Sequence, residues 1–167
     1  MKEVMKEIRA RRSVRSYLPT PVTKEEMAAI LEAGNLAPTG RNAQNLLFVG
    51  IVDADRIAGV KSFLDGGKEY YGAPSIVFLF ERKSDHLTAQ NAGAAMENMM
   101  LQATSMGLSS CWIHCTVARF ETPEGKKVLS EVCGLDGDYR LVETLALGHA
   151  AETSAGKERD ERNTIVL

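Results

Sequence analysis

Residues 85–106 place Ala89, Ala92, Gly93, Ala94 and Ala95 in the middle of a helix-length segment that continues into Met96, Met99, Met100 and Leu101. A helix apolar on most of its sides has to lie deep in a core or in an interface, so this segment dictates where the rest of the chain packs. Small side chains allow close backbone approach, and methionine fills irregular gaps. A central core helix and a dimer interface both satisfy the pattern. Just upstream, Ile76-Val77-Phe78-Leu79-Phe80 predicts a strand buried on both faces.

Other elements arrange themselves around this pair. Val4 to Ile8 is helix-like, and Thr23 with Glu26 forms a capping box ahead of a helix whose buried stripe is Met27, Ile30 and Leu31. Strands are predicted over 46–52, 110–115 and 139–147. In the last, Leu141, Glu143, Leu145 and Leu147 share one face, and Val142, Thr144 and Ala146 the other. A helix spans about 54–64, and Thr122-Pro123 opens another that reaches Cys133. The irregular alternation indicates α+β or α/β architecture. At 167 residues one domain, 1–167, is expected, with the last ~10–15 residues as an extended arm.

Composition narrows the function classes. A formal net charge of -2 supplies no global basic field for nucleic acid, and aromatics at 6% are sparse for base stacking, so an RNA-binding reading is disfavoured. No apolar run approaches the ~20 residues of a membrane span, and the N-terminus lacks a secretory core. Three cysteines, Cys111, Cys115 and Cys133, suit a reducing cytoplasm, where the protein is expected. A metal site at Cys111, His114 and Cys115 is rejected because a strand would point His114 away from the two sulfurs.

Two segments carry candidate chemistry. Arg11-Arg12-Ser13-Val14-Arg15-Ser16-Tyr17 concentrates guanidinium forks and hydroxyls, which are the donors that a phosphate dianion needs. Ala37-Pro38-Thr39-Gly40-Arg41-Asn42-Ala43-Gln44-Asn45 offers carboxamides able to read a heterocycle edge; a polar turn capping the preceding helix is the alternative. No Walker loop, dinucleotide fingerprint or Ser/His/Asp arrangement is present, so hard chemistry requires an organic cofactor.

With Met106-Gly107-Leu108-Ser109-Ser110-Cys111-Trp112-Ile113 as a third motif in the same order and spacing, the chain resembles the FMN-dependent nitroreductase family from Ile8 to about Arg162. The resemblance implies a mixed, mainly antiparallel sheet flanked by helices, in an intertwined homodimer with FMN at the interface. It assigns Arg11 and Ser13, with Arg12 beside them, to the phosphate and ribityl chain, and Arg15 to the pyrimidine end of the ring. It brings Pro38, Thr39, Gly40, Asn42 and Gln44 from the partner subunit, lays Trp112, Ile113 and His114 against the flavin, and completes the phosphate site with Lys157 and Arg159. NAD(P)H is then the electron donor, and a small electron-poor acceptor, nitroaromatic or quinone, is reduced in a ping-pong cycle. A non-catalytic flavin-binding module and a flavin-consuming or dehalogenating enzyme are the alternatives. Asn45 and Leu46 depart from a Pro-Trp that many members carry, and His114, a candidate catalytic side chain, stands where acidic or small residues are common. The segment 65–71, where Lys68 is a candidate, matches no member pattern.

Overall fold

The computed structural model describes residues 3–64, 66–82, 84–137, 139–152, 155–156 and 158–166, with the side chains of Glu3 and Glu161 left out. Ten principal elements follow one another: α1 (Glu3–Ala10), α2 (Lys24–Asn35), β1 (Leu46–Ile51), α3 (Ala54–Phe63), β2 (Ser75–Glu81), α4 (Thr88–Ser105), β3 (Ser109–Ile113), α5 (Val117–Phe120), α6 (Pro123–Cys133) and β4 (Arg140–Gly148). The strands form one sheet in the order β1-β2-β4-β3, and every ladder in it is antiparallel. The mixed character expected of the sheet comes from a single parallel bridge, Ser13 to Ser110.

Both faces of the sheet are covered, which explains why β2 carries seven buried residues in a row. On one face, Met27 and Ile30 of α2 and Ala92, Ala95, Met96 and Met99 of α4 pack on Val77, Leu79, Leu145 and Leu147. On the other, α3, α5 and α6 bring Val60, Phe120 and Leu129 against Ile76, Phe78, Phe80 and Ile113. The core accounts for one side of α4. Gly93, Ala94 and Leu101 on its other side stay half-exposed in the protomer.

The expected helix starts hold at two positions. Thr23 and Glu26 make the capping box of α2, and Thr122 caps α6 with Pro123 in its first turn. Three expectations change. The long helix begins at Thr88, because the Asp85 side chain accepts the Leu87 N–H (2.8 Å) and forms a turn first. In β4, Leu79 opposes Glu143 while Phe80 opposes Leu141, so Val142 is an extra residue. This bulge moves Leu141 to the face of Phe80 and Val142 to the face of Leu79, against simple alternation. Finally, β3 ends at Ile113, so His114 and Cys115 stand in the turn leading to α5 and Cys115 does not share a strand face with Cys111. No helix among the described residues is long and apolar enough to cross a membrane.

Candidate functional site

The arginine segment is stitched along the edge of the sheet. Arg11 N–H closes α1 onto Glu7 O (2.9 Å), Val14 N–H donates to Ser110 O (3.0 Å), and Leu18 N–H donates to His149 O (2.9 Å). Because the Ser13–Ser110 bridge is parallel, Arg11, Ser13 and Arg15 advance in the same direction as β3. Arg9, Arg11, Arg12, Ser13, Arg15 and Arg159 line a cleft of about 800 Å³, in which Glu97 is the acidic lining residue among those described. Five guanidinium groups against one carboxylate make this cleft strongly cationic on a chain whose net charge is -2.

The arginines differ in what already holds them. Arg11 Nε lies 3.6 Å from Glu97 Oε1 on α4. Arg12 is folded back, its Nη1 donating to Arg9 O (2.6 Å) and Arg11 O (2.8 Å), where it satisfies carbonyls at the end of α1. Arg15 sits over the Tyr71 ring, 5.8 Å from its centroid. Tyr71 follows the turn Lys68–Tyr70, and Tyr70 anchors that turn by bonding Thr116 Oγ1 (3.1 Å) and Thr144 Oγ1 (3.2 Å). Burial pushes the Tyr70 phenol up to about 12. Lys68 is exposed there, while Asp65 lies outside the described residues, as does Lys157 of the expected Lys-x-Arg pair.

The segment 37–45 caps α2 through the Ala37 backbone, and its polar side chains build a loop beyond it. The carbonyls at the end of α2 are taken by Leu36 N–H, Ala37 N–H and Asn98 Nδ2, leaving the loop side chains free of that task. Within the loop, Gln44 N–H donates to Thr39 Oγ1 (3.1 Å) and Gln44 Nε2 to Asn42 Oδ1 (3.0 Å). Arg41, Asn42 and Gln44 all adopt positive φ, a conformation non-glycine residues hold only under constraint. Pro38, Asn42 and Gln44 are exposed, and no described residue of 38–44 lines the arginine cleft of its own chain.

The constraint is a buried polar network that sequence reasoning missed. Gly40 N–H donates to Asn91 Oδ1 (2.8 Å), Asn91 Nδ2 to Asn45 Oδ1 (3.2 Å) and Asn45 Nδ2 to Thr88 Oγ1 (3.0 Å). Thr88 in turn bonds Glu81, which receives Asp85 N–H (3.1 Å) and Arg140 Nε (2.7 Å). Asn45 therefore serves the scaffold where many family members are expected to carry proline. The available signal was Thr88 and Asn91, polar residues recurring at the core-facing spacing of α4.

Burial alone would raise the Glu81 carboxyl, but hydrogen bonds from Arg140, Thr88 and Asp85 N–H reverse the sign and hold it below the usual glutamate range. Its contribution is thus present above the unfolded value near pH ~4.3 and lost as pH falls through the lower folded value. The melting-temperature gap between wild type and Glu81→Gln is expected to be wide at neutral pH and to narrow below about pH 4. A gap independent of pH contradicts this.

The end of β3 supplies the third part. Ile113 is buried, so only its backbone can face a ligand, whereas Trp112 is 37% exposed. Trp112 Nε1 donates to Glu143 Oε2 (2.6 Å), and His114 Nδ1 lies 2.9 Å from the same oxygen. Glu143 was not singled out from sequence, because its partners become visible only once β3 and β4 pair.

Known proteins share the sequence pattern and the fold. The family model for the nitroreductase family matches residues 8–65 and 65–149. An Archaeoglobus fulgidus protein provisionally named an NADH dehydrogenase/NAD(P)H nitroreductase is 25% identical over 97% of this chain and 94% of its own length. The FMN reductase (NAD(P)H) of Bacillus subtilis is 27% identical over 95% of this chain and 70% of its own. The crystal structure of a Bacteroides fragilis nitroreductase with bound FMN superposes with a TM-score of 0.87 at 28% identity, covering 100% of this chain and 99% of that one. With family model, relatives and fold in agreement, the protein belongs to the nitroreductase family and is an oxidoreductase.

Proposed function

We propose that the protein binds FMN non-covalently in the arginine cleft and uses it to oxidise NAD(P)H and reduce small electron-poor acceptors, nitroaromatic or quinone. The observation that carries the reading is the parallel Ser13–Ser110 bridge, which aligns the cationic cleft with the partly exposed end of β3. The residues present fit the cofactor. Arg11, Ser13 and Arg159 suit a phosphate dianion, and Arg12 lines the same cleft. Arg15, two residues beyond Ser13, would stand beside the ring of a bound FMN, where a fixed cation would favour negative charge at the pyrimidine end. Trp112, the Ile113 backbone and His114 offer an edge for a planar ring.

FMN, when bound, supplies the two-electron hydride chemistry that joins nicotinamide oxidation to acceptor reduction in two half-reactions. The chain's own task is positioning, charge stabilisation and exclusion of water. Pro38, Thr39, Gly40, Asn42 and Gln44 do not reach their own cleft, and in this reading they complete that of a second protomer. Val4, Met5 and Ile8 expose an apolar face on α1, and Leu36 and Leu101 line a neighbouring groove, which a homodimer would cover. Each chain acts as a single FMN-binding domain.

Anaerobic mixing with NADH or NADPH is expected to bleach the flavin absorbance, and a nitroaromatic or quinone to restore it. Bleaching by neither nucleotide, or reduced protein that passes no electrons to any acceptor, would leave a flavin-binding module and defeat this reading.

A further inference from the structure

We infer that His114 is the acid that protonates the acceptor oxygen and that Glu143 is the residue that positions it; this rests on the functional reading above. The first observation is the shared carboxylate oxygen. Trp112 Nε1 carries a hydrogen and can only donate, so Glu143 Oε2 accepts at 2.6 Å. His114 Nδ1, 2.9 Å from that same oxygen, therefore meets an acceptor and takes the proton in the neutral ring. The Glu143 side chain is only 12% exposed and belongs to a central-sheet strand, so the anchor is rigid. The His114 side chain is 73% exposed, which leaves Nε2, on the far side of the ring from Glu143, open to an incoming molecule.

The second observation is placement. Segment 11–15 and β3 run in parallel from the Ser13–Ser110 bridge, with Arg15 two residues further along one and His114 four along the other. At ~3.3 Å per residue, β3 carries the chain roughly 10 Å past the bridge to Ile113, and His114 opens the turn just beyond, on the side away from Arg11 along which a bound flavin would extend. A buried acid held by a carboxylate would be scaffold; an exposed ring just past the end of β3, fixed at one nitrogen and open at the other, can transfer a proton.

The step balances. A quinone that takes up a hydride becomes the monoanion of its hydroquinone, and the hydride's electron pair comes from the nicotinamide, which leaves oxidised. An O–H bond then forms between that oxyanion and the Nε2 proton of the His114 imidazolium. The N–H electron pair stays on nitrogen, and solvent reprotonates the neutral ring. Throughout, Glu143 keeps the ring turned and stabilises its charge.

The test compares two acceptors on FMN-loaded protein: a benzoquinone, whose reduction ends in protonation, and ferricyanide, which takes single electrons and no proton. His114→Ala and His114→Gln are expected to lower the quinone-to-ferricyanide rate ratio by about 10²-fold, and added imidazole to restore it for the alanine variant. Glu143→Gln should lower the ratio by about tenfold, since the ring is kept but its orientation is not. Nitrogen-15 spectra of the cofactor-free protein should show neutral His114 protonated at Nδ1 in wild type and shifted toward Nε2 in Glu143→Gln. An unchanged ratio in both His114 variants, no rescue by imidazole, or an Nε2-protonated ring in wild type would each overturn the inference. Wild-type protein that reduces neither acceptor would instead sink the functional reading.

Discussion

Replacing Asn91 with leucine is expected to lower the melting temperature by roughly 6–12 °C and to weaken flavin binding about tenfold. Asn91 is buried and joins the Gly40 N–H to the Asn45 carboxamide. Leucine fills similar space but takes away the acceptor of the Gly40 N–H and the donor to Asn45 Oδ1, each loss costing ~1–3 kcal/mol. At about 3 kcal/mol in total and ~2–4 °C per kcal/mol for a chain of this size, the thermal shift follows. The binding loss has a separate origin. Arg41, Asn42 and Gln44 hold positive φ beside the tie at Gly40, and on losing that tie they are expected to relax toward ordinary conformations. Thermal melts with and without flavin measure both; a shift below about 2 °C for Asn91→Leu contradicts the account of the loop.

Arg11→Ala addresses the cofactor tail. Its guanidinium is half-buried in the cleft, and its ion pair with Glu97, at 3.6 Å and half-exposed on the glutamate side, contributes little to stability. A charge-assisted hydrogen bond to phosphate is worth ~1.5–3 kcal/mol, so FMN should bind roughly 10- to 100-fold more weakly with the fold intact. Riboflavin, which has the ring and no phosphate, is the internal control. Its affinity should be nearly the same for Arg11→Ala and wild type. Equal losses for both ligands would place Arg11 away from the phosphate.

How far the sequence reached depends on the distance over which each signal acts. Capping residues such as Thr23 and Thr122 act within one turn, and their helices begin where the residues say. The unbroken apolar run of β2 identifies the central strand because burial on both faces leaves no polar position. The bulge at Val142 was hidden, since an extra residue in β4 is defined only against its partner β2. The four-residue α5 is too short for any periodicity, so His114 was placed on a strand and not in the turn beyond it. At the site, the arginine cluster is contiguous in the chain and easily read. Its electrostatic meaning required Glu97 and Arg159, which the fold brings to the same cleft. The two polar networks show the limit most clearly. Asn45, Glu81, Asn91 and Arg140 are unremarkable singly, as is Glu143 before Trp112 and His114 meet on it.

The central claim is that this arginine cleft, completed by a second protomer, is an FMN site. Its most direct test is titration of the purified, flavin-stripped protein with FMN, followed by absorbance of the protein separated from free ligand. The account predicts yellow dimeric protein saturating at one FMN per chain, with riboflavin binding more weakly than FMN. Colourless protein that remains dimeric and takes up no FMN would contradict it.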